Sequence, residues 1–257
     1  MNTLKRIDKG EYTIVQMDRG KVNAINAEML SELQQVFRNL EDDAPVHGVI
    51  LTGKPHFFSA GLDLIELIQY DQEQISSFFE ALGTLYIQLV RFPKPFISAI
   101  TGHAPAGGCV LAVTSDNRYM AEGEKYVIGL NEVAVNIQIS QSLTEAYAFW
   151  MGDGRASRYI LEGKLLSGSE ALSAGLVDEL LPLDQVLGRA EAQMQTYLNA
   201  DPQIWLNTKK KVRKHWLDKL DPDPSRSLAE AATLWWKPEI RRKMEAYVNS
   251  FSNKKNP

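Results

Sequence analysis

Two short apolar runs, each ended by a glycine, HGVILTG (47–53) and PFISAITG (95–102), stand on either side of a long segment with helical apolar spacing from about Asp71 to Arg91. Strand, helix, strand in that order favours parallel pairing, because parallel strands need a crossover long enough to return the chain to the same end of the sheet. A third unit follows, with an apolar helix after Gly108 and then NRYMA (117–121) and KYVIGL (125–130). The fold class is therefore read as α/β.

Upstream, residues 3–8 and 11–17 flank the turn signal Lys9-Gly10, and Tyr12, Ile14 and Gln16 alternate as in a strand, so a hairpin opens the chain. Asn26 precedes Met29, Leu30, Leu33, Val36, Phe37 and Leu40, an apolar face at helical spacing behind a good N-cap residue. From about Gln141 the chain reads as mostly helical, apart from GLVDELLP (175–182), with Asp201-Pro202 and Asp221-Pro222-Asp223-Pro224 dividing the late helices. A length of 257 residues fits one α/β core with a helical appendage. The core is placed at residues 1–190 and the C-terminal helical region at 191–257.

Composition narrows the function. A formal charge of −4 does not suggest a surface for polyanions, so nucleic acid is not an expected partner. The single basic run, KKKVRK (209–214), reads as the solvated face of a helix. Cys109 is the only cysteine, which excludes an internal disulfide framework and a multi-cysteine metal site. The opening MNTLKRIDKGEYTIVQ lacks a secretory apolar stretch and no 18-residue apolar run occurs, so the expectation is a cytoplasmic protein with no membrane span.

The chemistry concentrates at two strand-to-helix junctions. FFSAGLDL (57–64) follows the first glycine-ended run, and HAPAGGC (103–109) follows the second. The first N–H groups of a helix have no partner within it, and the dipole there favours negative charge. Two such ends brought together suggest a pair of main-chain donors for a carbonyl oxygen that gains charge, with small residues because a side chain would block the approach. His103 and Cys109 lie beside the second junction without a nucleophile signature and are read as packing residues.

FSAGLDL, PAGGCVLAVTSD and YVIGLNE, in this order and spacing, resemble the crotonase superfamily of acyl-CoA enzymes, and within it the Δ3,Δ2-enoyl-CoA isomerases. The resemblance spans roughly residues 10 to 190 and weakens in the C-terminal helices. It implies a crotonase-like ββα spiral core, followed by a C-terminal helical region that covers the site and contributes to a homotrimer or a pair of trimers. It also implies an acyl-CoA thioester as substrate, with coenzyme A part of that substrate, no separate cofactor and no metal. Carried onto this chain, the oxyanion donors fall on the backbone N–H groups of Ala60 and Gly107. The substrate-binding stretch covers Ala60, Gly61, Leu62, Asp63 and Leu64, with Lys21 near the nucleotide end.

Hydratases of this superfamily hold water between two carboxylates, and the corresponding positions here are Val110 and Glu132. Valine can neither orient water nor transfer a proton. One carboxylate suffices for an isomerase, and Glu132, among Val127, Ile128, Leu130 and Val133, is expected to have a pKa raised by desolvation. Where many members carry a Pro- and Gly-rich turn, this chain reads VNIQISQS (135–142), so Gln138, Ser140 and Gln141 are expected to point polar atoms into the pocket. Glu145 is read as an exposed helix residue rather than a second carboxylate, Asp63 as a helix cap and Asp116 as structural. The alternatives are a hydratase or other crotonase-type acyl-CoA lyase pairing Glu132 with an unrecognised group, or a non-catalytic acyl-CoA or RNA-binding member.

Overall fold

The computed structural model describes the backbone of residues 1–220 and 224–253 and the side chains of residues 1–220 and 230–249. The helix boundary expected at Asp221-Pro222-Asp223 lies outside them. The chain opens with the hairpin β1 (Leu4–Asp8) and β2 (Tyr12–Met17), then α1 (Ala27–Asp42), β3 (Gly48–Thr52), β4 (His56–Phe57), the single turn α2 (Leu64–Leu67) and α3 (Gln72–Arg91). It continues through β5 (Phe96–Ile100), β6 (Gly102–Pro105), α4 (Gly107–Val113), β7 (Asn117–Ala121), β8 (Val127–Gly129), α5 (Gln141–Met151), α6 (Asp153–Glu162) and β9 (Leu166–Ser167). The remainder is α7 (Gly168–Ala174), β10 (Glu179–Leu181), α8 (Val186–Leu198), α9 (Pro202–Val212), α10 (Lys214–Asp218), α11 (Pro224–Trp235) and α12 (Pro238–Asn253).

Two sheets organise these elements. In the larger, ordered β1-β2-β3-β5-β7-β10, only the β1-β2 hairpin is antiparallel. Strands β3 and β5 are buried along their whole length, as parallel strands covered on both faces should be. The smaller sheet, β4-β6-β8-β9, was not foreseen from the sequence. Its strands are two to four residues long, too short for a period-2 pattern. The chain passes from one sheet to the other at Gly102, whose φ of 154° and close approach to His56 O, 2.2 Å from where a Cβ would stand, admit only glycine.

Helix α1 forms where its apolar spacing indicated. The Asn26 side chain accepts the Met29 N–H at 3.0 Å, and Met29, Leu30, Leu33, Val36, Phe37 and Leu40 are all buried. Each such side chain removed from water contributes about 1.5–3 kcal/mol, an upper figure because the unfolded chain is itself partly collapsed. Helix α3 starts in a capping box between Asp71 and Gln74. Helix α8 lays Val186, Ala190 and Met194 on the other side of the large sheet, so the core runs past the boundary expected at residue 190.

The basic run corrects one expectation. Lys210, Lys211 and Lys214 are exposed, but Lys209 and Arg213 are buried and converge on Asp116, at 2.8 Å and 2.7 Å. Asp116 also accepts the Phe96 N–H at 2.8 Å, so it ties α9 to the start of β5. The run is amphipathic in charge: one of its faces is solvated, and the other neutralises the half-buried carboxylate of Asp116.

Candidate functional site

The glycines of HAPAGGC sit at a strained corner. Ala106, the N-cap of α4, has φ 46° and ψ −119°, a region that L residues rarely occupy and that costs on the order of 1–3 kcal/mol. Its N–H donates to Gly129 O at 2.8 Å, which holds the corner against the end of β8. Gly107 and Gly108 follow for different reasons. A Cβ on Gly108 would lie 2.7 Å from the backbone oxygen of Ser59, so Gly108 permits close packing of α4 on the FSAG segment. A Cβ on Gly107 would meet Ile25 and Leu62 side chains at 3.1 and 3.2 Å and the Gly61 Cα at 3.3 Å. The Gly107 N–H stands at the first position of α4, where no helical acceptor exists, and has no acceptor among the described residues.

The first junction departs from the sequence reading. The Ala60 N–H is not available for a ligand, because it donates to Val22 O at 2.9 Å. The reason is a short parallel pairing in which Ile25 N–H donates to Gly61 O and Asp63 N–H donates to Ile25 O, at 2.8 and 2.9 Å. That register turns the intervening Leu62 N–H away from the 22–25 segment, and it has no acceptor among the described residues. Leu62 and Gly107 line one cavity, and the Gly61 backbone lies against the Gly107 amide. The two free donors are thus those of Leu62 and Gly107, and the first comes from an extended segment rather than from a helix end.

The cavity has a volume of about 330 Å³, within the range of small-molecule sites. Glu132 projects into its lining between β8 and a single 3-10 turn, Val133–Val135. That turn is closed by Asn136 in the left-handed region, φ 63°, and by Ile137 N–H donating to Glu132 O at 2.8 Å, so an asparagine makes a turn that glycine makes elsewhere. Glu132 is 8% exposed, and its Oε2 has no hydrogen-bond partner among the described residues. Burial pushes its carboxyl up to about 7, against a weaker opposing hydrogen bond from its own backbone. Val110 lines the same cavity, together with Phe79, Leu82, Tyr86 and Ile87 of α3 and Ala231 of α11. Helix α11 closes the site from within the same chain, with Trp235 packed edge-on against Phe79 at 5.7 Å.

The remaining expected residues separate. Asp63 caps α2 and pairs with Arg19 at 2.7 Å, in keeping with a positioning role for the loop. Lys21 is exposed, and neither it, Asp63 nor Leu64 lines the cavity. Gln138, Ser140 and Gln141 do line it, but Ser140 Oγ is taken up capping α5 and Gln141 donates to Glu145. Glu145 also pairs with Lys219 at 2.9 Å and lies outside the cavity lining. His103 packs its ring on Phe57 and Tyr126. Cys109 is fully buried against the Tyr147 hydroxyl, its thiol pushed up to about 12 by burial. Sequence reasoning missed the α3 wall of the site, although its apolar spacing of three and four residues was visible.

A family profile described as Enoyl-CoA hydratase/isomerase matches residues 9–255. Enoyl-CoA delta isomerase 1, mitochondrial, of Rattus norvegicus is 33% identical over 243 residues, covering 94% of this chain and 84% of the relative. A probable enoyl-CoA hydratase of Bacillus subtilis (strain 168) is 33% identical over 209 residues, covering 79% of each. The crystal structure of human mitochondrial delta3-delta2-enoyl-CoA isomerase superposes with a TM-score of 0.94 at 28% identity, over 99% of this chain and all of the other. The α/β architecture with its crotonase-like core and C-terminal helices is common to both structures. Among the described residues no helix is long and apolar enough to cross a membrane.

Proposed function

The chain belongs to the enoyl-CoA hydratase/isomerase family, and from that premise we propose that it is a Δ3,Δ2-enoyl-CoA isomerase acting on fatty acyl-CoA thioesters. The observation that carries this reading is the single carboxylate of the cavity. Among the described lining residues, Glu132 alone can exchange a proton in the neutral pH range, and Val110, which the motif resemblance aligns with the second carboxylate of hydratases, lines the same cavity without a group to hold or activate water.

That geometry suits a proton transfer within one substrate. The Glu132 carboxylate takes a proton from C2 of a 3-enoyl thioester, and the electron pair of that C–H bond moves toward the thioester carbonyl. The oxygen gains negative charge and is held by the Leu62 and Gly107 N–H groups, worth the most in a cavity shielded from water. Glu132, now protonated, returns the proton to C4, the C3=C4 bond moves to C2=C3, and the carbonyl is restored. No atom is gained or lost. A carboxyl near 7 is well matched to both halves, since it is partly ionised to accept and acidic enough to donate.

Incubation with 3-enoyl-CoA and, separately, with 2-enoyl-CoA tests the reading. Isomerisation conserves mass and interconverts the two esters, whereas a hydratase would add 18 mass units to the 2-enoyl ester. Formation of the hydroxyacyl ester as the main product would replace the isomerase by the hydratase.

A further inference from the structure

Helix α3 presents Phe79, Leu82, Gly83, Tyr86 and Ile87 to the cavity, positions three and four apart that together form one helical face. From Phe79 to Ile87 that wall is about 12 Å long at 1.5 Å per residue. Gly83 stands at its midpoint, more than two turns from either end of a 20-residue helix. Glycine there is the poorest choice for helix formation short of proline, and it serves no turn or cap. The rest of the cavity lining sets the apolar Val110, Ile137, Ile139 and Leu143 beside polar side chains of the 138–142 stretch, and the small Ala231 comes from α11.

We propose that Gly83 sets the reach of the acyl site: the missing side chain opens a channel along α3 for a straight, unbranched aliphatic chain that extends well beyond the reacting carbons. The inference rests on the acyl-CoA reading above. A side chain at this position would lie back over the turn toward Phe79, along the face of α3 that lines the cavity. Short acyl groups need only the part of the cavity beside Glu132, and long ones need the whole wall.

The test compares wild type with Gly83→Leu and Gly83→Ala. The ratio of kcat/KM for 3-dodecenoyl-CoA to that for 3-hexenoyl-CoA should fall at least tenfold in Gly83→Leu and a few-fold in Gly83→Ala. Because alanine favours the helix, Gly83→Ala should melt at or above the wild-type temperature, which keeps the result interpretable if the leucine variant folds poorly. Binding of saturated dodecanoyl-CoA against hexanoyl-CoA should discriminate in the same sense and involves no chemistry. A chain-length ratio unchanged in both variants, in binding as in turnover, overturns the role of Gly83. Wild type that binds dodecanoyl-CoA with the predicted sensitivity at Gly83 but isomerises neither 3-enoyl ester overturns the isomerase reading alone.

Discussion

Val110 and Glu132 line the same cavity, one a buried aliphatic side chain and the other a buried carboxylate whose Oε2 has no partner among the described residues. An unpaired acid in an apolar enclosure is costly to the fold, and such groups are kept where chemistry uses them. Relatives include both isomerases and hydratases, so the fold alone does not choose between the two reactions, and the proposed isomerase reading rests on this pair of side chains.

Glu132→Gln keeps the shape of the side chain and removes its proton chemistry. Turnover of 3-enoyl-CoA should fall by at least about a hundredfold, the lower range for loss of a general base. The dissociation constant for a saturated acyl-CoA should change little. Steady-state kinetics beside calorimetric binding decides it, and a variant with near wild-type kcat removes Glu132 from the mechanism.

The same carboxyl links activity and stability to pH in opposite directions. Its folded-state value of about 7 lies above the ordinary 4.5, so the ionised base accumulates only as pH rises, and kcat/KM should increase tenfold per pH unit below about 7 and level off above it. Between 4.5 and 7 the folded chain holds a proton that the unfolded chain has lost. The contribution of Glu132 to stability is therefore fully present below 4.5 and is lost as pH rises through 7, by on the order of 3 kcal/mol. Glu132→Gln should exceed wild type in melting temperature by more at pH 8 than at pH 5.

How far the sequence reached can be judged at particular residues. The six apolar positions of α1, the hairpin around Gly10 and the long parallel strands were legible because their periods are carried by many residues. The small sheet was not, since β4 and β9 have two residues each and arise from tertiary pairing. Glu132, Val110 and Gly107, which line one cavity, were singled out through motifs. The displacement from Ala60 to Leu62 was not legible, because which amide of residues 60–62 is free depends on the register against Ile25, a contact 37 residues away in the chain.

The two lysine classes in KKKVRK should respond differently to mutation. Asp116→Asn leaves Lys209 and Arg213 buried without their counter-charge, and loss of one partner from a buried pair typically costs about 3–5 kcal/mol. Lys210→Ala and Lys211→Ala, on the exposed face, should stay within about 0.5 kcal/mol of wild type. Urea midpoints for the three variants check the assignment, and equal, small shifts would return the whole run to the solvent.

Gly107 and Gly108 should fail for separate reasons. Gly108→Ala drives a methyl group to 2.7 Å from the Ser59 carbonyl oxygen and should lower the melting temperature. Gly107→Val meets the Gly61 Cα no closer than 3.3 Å and side chains of Ile25 and Leu62 that can yield, so it should lose less stability than Gly108→Ala, yet its branches stand beside the donor N–H and should cut both kcat and acyl-CoA affinity. Thermal melts and single-turnover kinetics on both variants separate the effects.

The sharpest question is which amide of the FSAGLDL segment meets the substrate, and replacing single amides by esters answers it without touching a side chain. An ester at position 62 deletes an N–H that no protein group uses, so stability should hold while kcat falls by about a hundredfold or more, the usual loss for one oxyanion donor. An ester at position 60 deletes the bond to Val22 O instead. It should cost roughly 1 kcal/mol of stability, the ordinary worth of a hydrogen bond, and leave the rate of the folded enzyme almost unchanged. The reverse outcome, a rate lost at 60 and kept at 62, would mean that the pairing with residues 22–25 opens when substrate binds, and would return the donor to Ala60.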